Sequence, residues 1–94
     1  MDIMGTLAIV RYDPSDSDQP VYTFMLLPAG TREAKAPVHR CAGDPTLLRI
    51  LEELLPGTEQ RREALEALRA TGHASIAKVT VPREQLKKYG LAPR

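Results

Sequence analysis

Three features of the 94-residue chain predict an α+β fold, a small antiparallel sheet of about three strands with a helical hairpin and a short C-terminal helix, in the order ββααβα. Two β-branched and aromatic stretches flank a run of turn formers near the N-terminus. Two segments with apolar residues at helical spacing are separated by a Pro-Gly pair. A last alternating stretch then runs into a proline-led basic segment.

The first strand is read in "TLAIVRY", residues 6 to 12, and the second in "VYTFMLL", residues 21 to 27. "DPSDSDQP" between them is a cluster of turn residues, so the pair reads as an antiparallel hairpin with a longer loop. Pro28 removes a ladder donor and closes the second strand. Residues 28 to 43, "PAGTREAKAPVHRCAG", show no clear period, with room for a short strand around Val38.

At "DPTLLRILEELLPG" the period changes to that of a helix. Asp44 suits an N-cap, Pro45 the first helical position, and Leu47, Ile50, Leu51 and Leu54 recur on one face. Pro56 and Gly57 stop this helix. A second runs from near Thr58 to Thr71, with Ala64, Leu65 and Leu68 as a thin apolar stripe, Arg62 four residues ahead of Glu66 on the wet side, and Gly72 as a left-handed cap. "SIAKVTV", residues 75 to 81, gives the third strand.

The C-terminal "VPREQLKKYGLAPR" reads as a short helix from about Pro82 to Tyr89, stopped at Gly90. Leu86 and Leu91 stand where a Schellman closure brings them together. Lys87 and Lys88 fall at the helix C-terminus, where the macrodipole favours cations.

The chain, 43% hydrophobic and 27% charged, is that of an ordinary globular protein of one domain, residues 1 to 94. Thirteen basic residues against 12 acidic ones leave a net charge of +1, too little for whole-chain attraction to nucleic acid or an anionic membrane. Cys41 is the only cysteine, so no intrachain disulfide forms. With no signal-like leader and no apolar run near eighteen residues, a soluble cytoplasmic protein without membrane contact is expected.

Candidate chemistry is sparse. His39 and Cys41 share one side of an extended segment just ahead of a helix start, an arrangement that could lower a thiol's pKa and supply a base. No resolving cysteine or orienting third group accompanies them, so a thiol enzyme at Cys41 ranks third among the readings. His39, Cys41, Asp44 and His73 are metal-ligand types but lack the paired spacings of zinc sites. Asp13, Asp16 and Asp18 crowd one loop without the glycine and glutamate that a calcium loop needs. Phosphate-cradling glycine motifs are missing, and no cofactor is expected.

Two basic patches support a nucleic-acid reading. Residues 28 to 43 carry Arg32, Lys35 and Arg40 against Glu33, and residues 83 to 94 carry Arg83, Lys87, Lys88 and Arg94 against Glu84. The helical hairpin is a poor helix-turn-helix, because its second helix mixes Glu59, Glu63 and Glu66 with Arg61, Arg62 and Arg69. A solvated face explains these charges as well as a nucleic acid does.

A stronger pointer is the hairpin, which is apolar on both faces. Leu7 and Ile9 oppose Ala8, Val10 and Tyr12, while Tyr22, Phe24 and Leu26 oppose Val21, Met25 and Leu27. Two helices cover one face only, so the terminal helix or another chain must cover the second. The expectation is a non-enzymatic protein-protein interaction or regulatory module that forms a homodimer and has a protein partner, with Arg32, Lys35, His39, Arg40, Cys41, Lys87 and Lys88 as candidate interaction residues. A nucleic-acid-binding regulator is the second reading.

Overall fold

The computed structural model describes residues 2–30 and 36–92. Strands β1 (Asp2–Tyr12) and β2 (Val21–Pro28) form the expected hairpin, in register from Gly5 opposite Pro28 to Tyr12 opposite Val21. Strand β3 (Val38–Ala42) adds antiparallel to β2, and β4 (His73–Pro82) adds antiparallel to the other side of β1. The sheet therefore has four strands in the order β3-β2-β1-β4, and the element order is βββααβα.

The fourth strand is β3, at the place where the sequence left room for one. Its inward positions hold His39 and Cys41, in register with Phe24 and Tyr22, instead of aliphatic residues. Alternation of apolar and polar residues is thus missing, and pairing with β2 defines the strand.

Helix α1 (Asp44–Leu54) buries Leu47, Ile50, Leu51 and Leu54, as its spacing predicts. Its N-cap is Gly43, at φ 88°, and no side chain caps it. Asp44 already lies in the first turn, which corrects the expectation that it caps the helix; its carboxylate accepts the Tyr22 hydroxyl at 2.7 Å instead. After Leu55, Pro56 and Gly57 the chain enters α2 (Thr58–Thr71), whose Ala64 and Leu68 are buried. Gly72 ends it at φ 81°, its N–H donating to the Leu68 carbonyl at 3.0 Å. Arg62 pairs with Glu59 at 2.6 Å and not with Glu66, although both lie about one helical turn away.

Helix α3 (Arg83–Lys88) ends in the expected Schellman closure. The Leu91 N–H donates to the Leu86 carbonyl at 2.7 Å and the Gly90 N–H to the Lys87 carbonyl at 3.1 Å, with Gly90 at φ 68°. Leu86 and Leu91 are both fully buried.

All three helices lie on one face of the sheet. The core joins Leu7 and Ile9 of β1, Tyr22, Phe24 and Leu26 of β2 and Ala74, Ile76, Val79 and Val81 of β4 to the leucines of the helices in one cluster. Burial of each such leucine or isoleucine stabilises the fold by about 1.5–3 kcal/mol. Strict alternation along β4 could not turn both Ile76 and Val79 inward. A register shift between Gly5 and Leu7 of β1 resolves this, with Lys78 of β4 at φ 59° inside the bulge.

Candidate functional site

The face of the sheet away from the helices leaves several large apolar side chains open. Register places its side chains in cross-strand rows. Val38, Met25, Ala8 and Ser75 form one row from β3 to β4; Arg40, Thr23, Val10 and His73 form the next. Leu27 stands beside Thr6 and Val21 beside Tyr12 in the rows on either side.

Four large side chains of this surface remain conspicuously exposed: Met4 at 54%, Val10 at 52%, Tyr12 at 64% and Val38 at 45%. Singly exposed apolar residues are normal, whereas a contiguous patch marks a contact surface. Charge is confined to its margins, where Asp2, Arg40 and Lys78 stand.

The terminal helix does not cover this face. The Lys88 Nζ of α3 meets Glu53 Oε1 of α1 at 2.5 Å, and the Tyr89 ring packs edge-on against His39 with centroids 5.2 Å apart. His39 lies opposite Phe24, a buried residue of the inner face, so α3 is seated on the helical side.

Both sheet edges are poor templates for a further strand. On one side β3 offers only five residues, and on the other β4 carries the bulge at Lys78 and ends at Pro82. Short strands, bulges, lysine and proline are the usual protection of an edge. The outer face is thus more open than either edge to a neighbouring surface.

The structure scatters the sequence-predicted contact residues. Arg40 lies on the outer face and is exposed, while His39 and Cys41 point inward and are half-buried. Lys87 and Lys88 are exposed at the end of α3, where Lys88 also lies 5.5 Å from the Tyr89 ring centroid. Arg32 and Lys35 lie outside the described residues.

His39 is held between aromatic neighbours, Tyr89 on one side and Phe24 at 6.5 Å on the other. Burial pushes the Cys41 thiol up from its ordinary pKa, and the nearby Arg49 charge pulls it back only in part. Among the described residues no three His, Cys, Asp or Glu side chains come together as a metal site. Asp13 is engaged by Arg11 at 3.1 Å in the hairpin loop.

A concavity of about 440 Å³ runs between α1 and α2 over Leu48, Leu51 and Leu65. Its rim carries Arg61, Arg62 and Arg69 beside Glu52 and Glu66, with Arg62 paired to Glu59, so both signs of charge are mixed there. The sequence signal for it was Leu48, an extra leucine off the buried stripe of α1 and 45% exposed. No helix among the described residues is long and apolar enough to cross a membrane. Compared with family models, curated proteins and solved structures, the chain finds no match.

Proposed function

We propose that this protein is a non-enzymatic interaction or regulatory module that self-associates through the outer face of its sheet. The observation that carries this reading is the seat of α3. The terminal helix packs on the core side, and Met4, Ala8, Val10, Tyr12, Met25, Leu27 and Val38 stay open on the other. A surface of that composition, free of charge in its middle, gains from meeting a like surface and strands no charged group in doing so.

The two competing readings draw less support. Arg40 lies on the outer face of β3, whereas Lys88 is tied to Glu53 on the helical side, so these cations do not form one stripe along which a phosphate backbone could run. A nucleophilic cysteine needs a depressed pKa, and burial moves Cys41 the other way.

Val10→Lys tests the proposal. It puts a cation in the middle of the face at a side chain 52% exposed, so the fold should tolerate it. Sedimentation velocity should show the variant as monomer where the unmodified chain is dimer. A dimer that survives the change would place self-association elsewhere.

A further inference from the structure

The outer face is more than apolar: its rows pair large side chains with small ones. Met25 on β2 lies beside Ala8 on β1, and Leu27 lies beside Thr6. In these two rows β2 forms a ridge and β1 a furrow, which ends at the exposed Met4 of β1. In the other half the larger member changes strand, with Tyr12 of β1 beside Val21 of β2. At the margins of the Met25 row stand Val38 on β3 and Ser75 on β4, again large at one end and small at the other.

Building on the proposed self-association, we infer that the occupant of the face is a second copy, related by a two-fold axis parallel to the strands and passing between β1 and β2. The order β3-β2-β1-β4 is symmetric about that line, so the rotation lays β2 of one copy over β1 of the other and β3 over β4. Met25 then faces Ala8 of the second copy, Leu27 faces Thr6, Tyr12 faces Val21 and Val38 faces Ser75. Each ridge enters a furrow, and because the contact is isologous every such pairing occurs twice.

Interdigitation of large against small side chains is how facing layers reach the density of a protein interior. Two sheets packed in this way lie about 10 Å apart with strands crossing at roughly 30°, so the central rows of Met25 and Val10 are displaced least. An in-plane axis perpendicular to the strands, midway between the Met25 and Val10 rows, would instead set Met25 over Thr23 and Ala8 over Val10. From strand spacing and rise the face measures about 19 Å by 20 Å. That is small beside the roughly 800 Å² per partner of a standard interface, so the dimer should be weak and reversible.

A reciprocal exchange tests the arrangement by sedimentation equilibrium. Ala8→Met alone sets methionine against methionine, and Met25→Ala alone leaves a void, so each should weaken the dimer by about tenfold or more. The double variant Ala8→Met/Met25→Ala exchanges ridge and furrow and should bind within about threefold of the unmodified chain, since volume-conserving repacking is tolerated. The perpendicular axis gives no such recovery, because it would bring two large side chains together on β1. Melting temperature and far-UV circular dichroism confirm the fold of each variant. If Ala8→Met unsettles it, the exchange Thr6→Leu/Leu27→Thr applies the same logic. A dimer with unperturbed single variants would remove the face itself. Single variants that dissociate without recovery in the double would leave the face in place and overturn the two-fold along the strands.

Discussion

The hydroxyl of Tyr22 donates to Asp44 Oδ1 at 2.7 Å across 22 residues of chain, tying the second strand to the first turn of α1. Tyr22 is 3% exposed, and its burial, reinforced by the bond to Asp44 and by that carboxylate's charge, pushes the phenol pKa from 10.0 up to about 12. Above pH 10 the unfolded chain has released this proton while the folded chain still holds it. Stability is therefore full below pH 10 and falls as pH rises toward 12, by roughly 2 kcal/mol for a shift of this size. Urea unfolding of Tyr22→Phe at pH 8 should show a loss of about 1 kcal/mol from the missing bond. The gap between the two proteins should then shrink as pH is raised, and a gap that stays constant to pH 11.5 would contradict the shift.

Gly5 of β1 stands opposite Pro28 at the end of β2. A Cβ at this position would collide with the Leu27 carbonyl oxygen and lie 2.9 Å from Pro28 Cα, both backbone groups that cannot swing away. Gly5→Ala should destabilise the fold by about 3 kcal/mol, measured by chemical denaturation. A loss below about 1 kcal/mol would mean that the two strands separate there more easily than their register implies.

At the basic end, packing and charge make opposite demands on neighbouring residues. Leu86 is fully buried, so Leu86→Ala should cost about 2–5 kcal/mol. The Lys88 side chain is 57% exposed despite its pairing with Glu53, and exposed ion pairs stabilise little. Replacing Lys87 and Lys88 together by Gln should shift stability by less than about 1 kcal/mol. A salt-sensitive affinity for DNA or RNA that disappears in the same variant with melting unchanged would turn the basic end into a reader of nucleic acid.

Cys41 is half-buried, in register with Tyr22 on the inner face of β3. With its pKa raised chiefly by burial, it should react with iodoacetamide at pH 7.5 more slowly than a free cysteine does, and speed up only in alkali. Alkylation faster than the free amino acid would restore the thiol enzyme as a serious reading.

Both helices of the hairpin, the terminal helix with its Schellman closure, and the two-sided apolar hairpin were legible because each rests on a period or a local backbone preference. Strand β3 was only half visible, since His39 and Cys41 replace the aliphatic residues by which a strand announces its buried face. Asp44 misled for a physical reason: Gly43, at φ 88°, already supplies the cap geometry, and the carboxylate is drawn to Tyr22, a partner that sequence separation conceals. The bulge in β4 had a signal in the spacing of Ile76 and Val79, two inward residues that uninterrupted alternation would send to opposite faces. The pairing of large and small residues on the outer face depends on register across the hairpin, which no single stretch of sequence specifies.

Light scattering of the unmodified chain between about 10 and 200 µM tests the central claim most directly, because the population of a reversible dimer rises with chain concentration. With one chain weighing 10.4 kDa, the mass should climb toward about twice that value as concentration rises. A mass that stays at 10.4 kDa throughout would contradict self-association, leaving the open face of the sheet to a different protein.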